Sequence, residues 1–142
     1  MATVEGYRLG SLLGIGGFGE THRAEKDGHA YALKLIKEEA ILAGFDLRRF
    51  SRECRALEKV QHANVVKLVE YGQTTIGAKT RFYLVMELLQ GRDFGDFLEE
   101  QAYKLPEEQI KDVLCQVIGG LEAMHRLSIW HRDIKPQNVF IT

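Results

Sequence analysis

Alternating apolar and polar residues mark the beginning of the chain as β-structure. The segments Tyr7–Ile15 and His29–Ile36 both carry this strand pattern. Between them, residues 20–30 are almost entirely polar, lack the apolar stripe of a helix, and contain Asp27-Gly28. Because Asp-Gly between strand-like segments is typical of a tight hairpin, the pattern predicts strand, glycine turn, strand, Asp-Gly turn and strand.

The middle of the chain predicts two more strands, and helical spacing appears on either side of them. The strands are Val65–Tyr71 and Arg81–Leu88, joined by a polar turn at Gln73–Thr80. One helix is predicted across Leu47–Leu57, and a longer one opens at Pro106 and carries a wide apolar stripe as far as Met124. Two adjacent glycines within the longer helix suggest a close packing contact there.

Composition limits the classes of function that the chain can have. Its 142 residues are enough for one domain or two small lobes, and its net charge of −1 gives no basic excess for nucleic acid or for an acidic membrane surface. No membrane segment and no signal peptide is predicted, because no apolar run approaches ~20 residues. Cys54 and Cys115 lack the spacing of a zinc site and are predicted to be reduced, half-buried residues of a cytoplasmic protein.

An acid, two bases, a histidine and an amide are concentrated in residues 131–138, which read H-R-D-I-K-P-Q-N. The segment is too polar for a core, and apolar runs at Leu127–Trp130 and Val139–Ile141 flank it. The pattern therefore predicts a loop between two short strands. Such a loop can direct Asp133, Lys135 and the amide that closes it towards one point.

A second candidate site combines glycines with a lysine. Residues 14–19 read G-I-G-G-F-G, in which glycines let backbone N–H groups approach phosphates. The same G-x-G-x-x-G spacing occurs in dinucleotide-binding folds, but these need a helix directly after the last glycine, and residues 20–30 do not suit one. Lys34 shares a strand face with Ala32 in an apolar setting, where a lysine is unusual unless it has a partner.

These three motifs together resemble protein kinases. Residues 131–138 fill every signature position of H-R-D-x-K-x-x-N, residues 14–19 are similar to the glycine-rich loop, and Ala32 with Lys34 is similar to A-x-K. Thr21 stands where the family carries valine, which implies weaker packing on adenine.

The resemblance implies an α+β, protein-kinase-like fold. Its parts would be a five-stranded antiparallel N-lobe sheet with an αC-type helix in residues 1–88, then a hinge and an incomplete, mainly helical C-lobe in residues 89–142. The D-F-G segment of the family is expected after residue 142, so the 142-residue chain alone is expected to be inactive and poorly stable. Self-association through the 106–126 helix is a further expectation.

The resemblance also implies a role for each site residue. Asp133 would orient the substrate hydroxyl and accept its proton, Lys135 would neutralise the γ-phosphate, and Asn138 would bind Mg²⁺. His62-Ala63-Asn64, similar to the H-P-N after the αC helix, selects Glu53 as the ion-pair partner of Lys34. The residues implied in nucleotide binding are Leu13, Gly14, Ile15, Gly16, Gly17, Phe18, Gly19, Thr21, Ala32, Lys34, Glu53, Met86, Glu87, Leu89, Asp93 and Phe140.

The implied reaction transfers the γ-phosphoryl group of ATP, with Mg²⁺, to a serine or threonine hydroxyl of a protein substrate. Serine or threonine is implied because Lys135 precedes Pro136, as in serine/threonine kinases. The alternative is a non-catalytic module that binds ATP or acts as a scaffold. The hints of subfamily disagree, since residues 131–142 resemble the NIMA-related kinases whereas residues 16–21 resemble bacterial kinases of the eukaryotic type.

Overall fold

The computed structural model describes residues 2–38 and 47–142. Contacts between Cα atoms divide the described residues into two units, which are treated separately below. The first unit comprises the described residues of 2–58 together with Val66–Leu88, and the second comprises Lys59–Val65 with Leu89–Thr142.

The first unit is built on an antiparallel sheet, with six strands in the described part of the chain. The spatial order is β1-β2-β3-β4-β6-β5. The strands are β1 Thr3–Val4, β2 Tyr7–Ile15, β3 Gly19–Lys26, β4 His29–Ile36, β5 Leu68–Ile76 and β6 Lys79–Glu87.

The predicted hairpin is confirmed, and the predicted strand count is wrong by one. Asp27 and Gly28 form the turn between β3 and β4 with φ of 51° and 77°. The additional strand is β1, in which Val4 is fully buried and pairs with Tyr7 around a second tight turn. A strand of two residues is too short to show alternation, so the five-strand prediction missed it.

The predicted polar turn at Gln73–Thr80 is also wrong. The β5–β6 ladder continues to the pair Ile76↔Lys79, and the turn consists of Gly77, with φ of 64°, and Ala78. Thr74 is buried within β5, since threonine suits a pleated strand despite its hydroxyl. The turn was predicted from the polarity of these residues alone, but several of them are β-branched and continue strand β5.

Opposite faces of the sheet are both covered by packed side chains. One face carries a core cluster formed by Val4, Tyr7, Ala24, Leu33, Leu35, Tyr83 and Val85. The other face packs against helix α1, Leu47–Leu57, through the rings of Phe50 and Phe82, whose centroids lie 6.3 Å apart. Cys54 of α1 is 3% exposed.

A carboxylate joins four strands at the edge of the core cluster. Glu70 Oε2 accepts a hydrogen bond from the Tyr7 hydroxyl at 2.9 Å, and Glu70 Oε1 accepts one from the Tyr83 hydroxyl at 2.6 Å. Lys26 Nζ lies 3.8 Å from the same carboxylate and 4.3 Å from the centre of the Tyr7 ring. We call Tyr7, Lys26, Glu70 and Tyr83 the tyrosine clamp.

The second unit combines two helices with a small two-stranded sheet. Strand β7, Arg92–Asp93, pairs with β8, Phe140–Ile141, so a strand at Val139–Ile141 is confirmed in part. The helices are α2, Phe94–Glu100, and α3, Glu107–His125, and a 3₁₀ turn covers Pro136–Asn138.

The strand predicted at Leu127–Trp130 is wrong. The N–H groups of Leu127 and Ile129 donate to the carbonyl of Met124, so this segment closes the end of α3 and does not pair with another strand. Along α3, Leu114 and Ile118 are exposed, and Cys115, predicted to be half-buried, is exposed as well. Self-association through this helix stays a prediction.

The loop Lys59–Val65 packs against α3 and explains its paired glycines. Asn64 Nδ2 donates to Gln116 Oε1 at 3.0 Å. A Cβ atom at Gly120 would lie 2.8 Å from the backbone oxygen of Asn64, which leaves no room for a side chain. At Gly119 the nearest atom to such a Cβ would be in the His62 ring at 3.5 Å, an ordinary contact.

Candidate active site

One face of the first unit's sheet carries the predicted nucleotide-binding side chains in two adjacent rows. Thr21, Lys34 and Leu84 are directly paired across β3, β4 and β6, and Ala32 pairs with Met86 in the next row. Because directly paired residues point to the same face, the structure brings these five predicted or neighbouring side chains together.

The glycine-rich turn sits at the end of β2 and β3, next to these rows. Gly16 N–H donates to the Gly19 carbonyl at 2.8 Å, and Lys37 N–H donates to the Phe18 carbonyl at 2.8 Å. A side chain at Gly19 would collide with the backbone oxygen of Leu35, so close strand packing requires glycine there. A Cβ atom at Gly14 or Gly17 would meet no atom within 4 Å, so the space beside these two residues is open to a ligand.

The apolar side chains of this turn point outward. Ile15 is 66% exposed, Phe18 is 61% exposed and Leu13 is 49% exposed. Large exposed apolar residues around an open glycine backbone are typical of a surface that closes on a ligand.

Lys34 is buried enough for the surroundings to change its acidity. Burial lowers the pKa of its amine below the usual value. Among the ion pairs of residues 2–38 and 47–142 none joins Lys34 to Glu53, and Glu53 Oε1 accepts from Arg49 Nε at 3.1 Å, so the predicted pair stays a prediction. Arg49 lies four residues earlier on α1, the spacing at which helical side chains meet, and the sequence prediction did not weigh it as a competitor.

The end of β6 is held by the chain that leads into β5. Glu87 Oε1 accepts from the Lys67 N–H at 2.8 Å, and the Glu87 N–H donates to the Lys67 carbonyl at 3.0 Å. These bonds fix the backbone direction at Glu87, and its own carbonyl takes part in neither of them. Leu89, the last residue of the predicted hinge, belongs to the second unit.

Asp93 and Phe140 are brought together in the second unit. They form a direct pair between β7 and β8. Asp93 Oδ1 also accepts from the Asp96 N–H at 2.9 Å, so Asp93 caps α2. Gly91, with φ of 143°, permits this pairing, since any side chain there would collide with the Ile141 carbonyl.

The predicted catalytic triplet converges on one carboxylate. Asn138 Nδ2 donates to the backbone oxygen of Asp133 at 2.7 Å and lies 3.2 Å from Asp133 Oδ2. Lys135 Nζ lies 3.3 Å from the same Oδ2. All three side chains are exposed, so a substrate group can reach them.

Two backbone features set this geometry. The 3₁₀ turn at Pro136–Asn138 brings Asn138 back over Asp133, and the Asn138 N–H donates to the Lys135 carbonyl at 2.9 Å. The Asp133 N–H donates to His131 Nδ1 at 3.3 Å, a positioning role that the sequence analysis did not assign to the histidine. The signal that the sequence offered for this role was the position of His131, two residues before Asp133.

The described residues contain no cluster of three or more His, Cys, Asp or Glu side chains that could hold a metal ion. The donor set is nevertheless compatible with a partial magnesium site. Since Asn138 Nδ2 is turned towards Asp133, its Oδ1 points to the other side, and an amide oxygen is a ligand that Mg²⁺ accepts. In the part of the chain that the structure covers, no helix has the length and apolar character needed to cross a membrane.

The chain is similar to known proteins along nearly its whole length. A family model described as protein kinase domain matches residues 7–142. The chain is 33% identical over 141 residues to serine/threonine-protein kinase PksC of Streptomyces coelicolor, covering 96% of this chain and 25% of that protein. It is 34% identical over 139 residues to serine/threonine-protein kinase PknA of Corynebacterium glutamicum, covering 96% of this chain and 29% of that protein.

Solved structures show the same fold. The crystal structure of the Mycobacterium tuberculosis PknI kinase domain superposes with a TM-score of 0.85 at 25% identity, covering 99% of this chain and 57% of that chain. The chain thus spans about a quarter of the curated relatives and a little over half of the solved domain.

Proposed function

The chain belongs to the protein kinase domain family, and from that membership we propose that it transfers the γ-phosphoryl group of ATP to a serine or threonine hydroxyl of a protein. Residues 1–88 would form the N-lobe, and residues 89–142 the hinge and the beginning of the C-lobe. Family members named serine/threonine kinases in bacteria and plants support this reaction class.

The observation that carries the proposal is the convergence of Lys135 and Asn138 on Asp133. A carboxylate held by an amide and an ammonium group is fixed in orientation, which suits a group that must accept a proton from a substrate hydroxyl. Asp133 would orient the hydroxyl and take its proton, and Lys135 would offset charge on the transferred phosphoryl group. Positioning of this kind supplies much of the catalysis in phosphoryl transfer.

The first unit supports nucleotide binding. Open space beside Gly14 and Gly17 would admit phosphate oxygens, and Lys34 would hold the phosphates that lie beside it. Ala32 and Met86 form an apolar pair on the same face and would meet the adenine ring. The backbone of Glu87 and Leu89 would pair with the edge of the ring.

Three further residues complete the proposed nucleotide site. Asp93 would reach the ribose, and Phe140, its partner across the small sheet, would lie under the adenine. Asn138 Oδ1 would bind Mg²⁺, which when bound neutralises phosphate charge. The family generally uses ATP and Mg²⁺, and this assignment follows it.

A second function, nucleotide binding without transfer, is favoured by one observation. Glu53 pairs with Arg49 and leaves the buried Lys34 without the predicted carboxylate. A lysine that is not held by a carboxylate positions the phosphates less firmly, so binding would persist while transfer would be lost.

The two functions are separated by measuring binding and transfer on the same preparation of a version of the domain extended past residue 142 through the D-F-G segment. Labelled ATP with Mg²⁺ and a generic protein substrate report transfer, and calorimetry reports nucleotide affinity. Asp133→Asn is expected to reduce transfer by roughly 10²–10⁴-fold while affinity stays within about twofold, whereas Lys34→Met reduces both. Transfer that survives Asp133→Asn, or phosphotyrosine as the main product, contradicts the proposal. Binding without any transfer selects the second function.

A further inference from the structure

Helix α1 carries a concentration of positive charge that its role in packing does not explain. Its eleven residues include four arginines and one glutamate, whereas the whole chain has a net charge of −1. Phe50 packs against Phe82 of the sheet and Cys54 is buried, whereas the four arginines are exposed.

The placement of these arginines along α1 costs stability. The first turn holds no acidic residue. Arg52 and Arg55 follow one another at helical spacing, so their like charges repel along one side. Within residues 2–38 and 47–142, neither Arg52 nor Arg55 forms an ion pair with a carboxylate.

Ser51 lies at the edge of this charged side. Arg48, Ser51, Arg52 and Arg55 line one shallow concavity on the surface, and we call these residues the arginine cluster. Ser51 is three residues after Arg48 and four before Arg55, so both neighbours are within reach of its side chain. Arg49 belongs to another side of the helix, where it pairs with Glu53.

We propose that Ser51 is a phosphorylation site and that its phosphate is held mainly by Arg55, four residues later on the helix, with Arg48 and Arg52 beside it. A phosphate brings two negative charges and three acceptor oxygens, which match guanidinium groups in bidentate geometry. It would convert the repulsion between Arg52 and Arg55 into attraction. In the sequence R-R-F-S the two arginines stand three and two residues before the acceptor, a basic flank that suits a kinase with an acidic substrate groove.

The chemical step needs a nucleoside triphosphate and a serine/threonine kinase acting in trans. Ser51 Oγ forms a bond to the γ-phosphorus while the bond from that phosphorus to the β,γ-bridging oxygen breaks. The nucleoside diphosphate leaves, and the hydroxyl proton passes to a base of the modifying kinase. The acceptor becomes reachable when the N-terminal half of α1, which includes Ser51, opens, and helices of this length gain little stability from their own hydrogen bonds.

The test uses the whole chain carrying Asp133→Asn, so that its own proposed activity does not contribute. An arginine-directed serine/threonine kinase and MgATP are added, and mass spectrometry locates the phosphate. One phosphate on Ser51, absent in Ser51→Ala, is expected. If a synthetic peptide of residues 46–56 is modified while Ser51 in the folded chain is not, the proposal is wrong.

The second measurement is thermal melting with and without the phosphate. We expect modification to raise the Tm by about 2–4 °C, the shift that pairing of one phosphate gives in a chain of this size. The rise is expected to disappear in Arg52→Ala/Arg55→Ala and to persist in Arg126→Ala, which removes an exposed arginine of α3. Arg52→Lys, which keeps the charge, is expected to retain part of it.

Three results of the melting series would overturn the assignment. These are an unchanged Tm after modification, a rise that persists in Arg52→Ala/Arg55→Ala, and an equal rise when inorganic phosphate is added to unmodified protein. The last result would assign the arginine cluster to a free anion and not to phosphoserine.

Discussion

Replacing Glu70 with leucine is expected to destabilise the first unit through the tyrosine clamp. The substitution keeps a side chain of similar size but removes the acceptor of two hydroxyl groups. Tyr7 is 3% exposed and Tyr83 is 4% exposed, so neither hydroxyl can turn freely to water. The free energy of unfolding should fall because two buried donors lose their partner.

The expected magnitude follows from the geometry of the clamp. An unpaired buried hydroxyl costs about 1–3 kcal/mol, and the lower half of that range applies because the Glu70 side chain is about a third exposed. The Lys26 contact at 3.8 Å adds roughly 0–1 kcal/mol, since exposed pairs are screened. For two hydroxyls and the lysine the total is about 2–5 kcal/mol, equivalent to a Tm lowered by roughly 6–15 °C in a chain of this length.

The assay is urea unfolding followed by circular dichroism, on Glu70→Leu and on the same variant with Tyr7→Phe and Tyr83→Phe. Because the triple variant has no unpaired hydroxyl, it should regain much of the lost stability. Glu70→Leu within about 0.5 kcal/mol of the wild type would refute the reasoning. A triple variant as unstable as the sum of its separate changes would refute it equally.

The dependence of stability on acidic pH provides an independent check on the tyrosine clamp. Burial raises the pKa of Glu70, but hydrogen bonds from Tyr83 and Tyr7 and the charge of Lys26 outweigh it, so the net pKa lies below the usual 4.5. A carboxyl with a lowered folded pKa stabilises the protein above its unfolded pKa and loses that contribution as the pH falls through the folded value. Glu70→Gln should therefore lose less stability between neutral pH and pH ~3 than the wild type.

Three further predictions concern packing, thiol chemistry and nucleotide affinity. Gly120→Ala should lower the free energy of unfolding by about 1–3 kcal/mol in a urea titration, because its Cβ would press on the backbone oxygen of Asn64. Gly119→Ala is the matched control and should be neutral or stabilising by up to ~1 kcal/mol. Equal effects of the two substitutions would contradict this prediction. Burial and neighbouring carboxylates raise the pKa of the Cys54 thiol to about 12, whereas Cys115 is exposed. Iodoacetamide at about pH 8 should therefore alkylate Cys115 and leave Cys54 unmodified. Peptide masses that show early labelling of Cys54 would disprove its burial. Thr21→Val should tighten ATP binding about three- to fourfold by calorimetry, since it adds one buried methyl group on the adenine-facing side, and unchanged or weaker binding would count against that placement.

Short motifs with their own backbone chemistry were readable from the sequence. Asp27-Gly28 specifies its turn locally, and residues 131–138 contain the whole catalytic triplet within eight positions, so no distant contact had to be guessed. The paired glycines at Gly119 and Gly120 correctly indicated a close contact, although the sequence did not show which segment approached them.

The sequence did not show which of two chemically equivalent partners a charged side chain would pair with. Glu53 is equally compatible by charge with Lys34 and with Arg49, and the selection depends on rotamers and on helix orientation that no periodicity encodes. The prediction of a strand at Leu127–Trp130 failed for a related reason. Its apolar composition suits a strand, but its backbone donors are already used by the end of α3.

The position of the loop Lys59–Val65 has a consequence for the order in which the chain is built. The loop lies between two segments of the first unit, yet Asn64 bonds to Gln116, 52 residues later. At typical rates of translation, the loop leaves the ribosome roughly 3–10 s before its partner helix exists. The sheet around it can close in that interval, whereas the second unit remains open until α3 has been synthesised. A nascent chain stopped before residue 107 would thus carry a complete β5–β6 hairpin, but the acceptor of the Asn64 amide, Gln116 Oε1, would not yet have been synthesised.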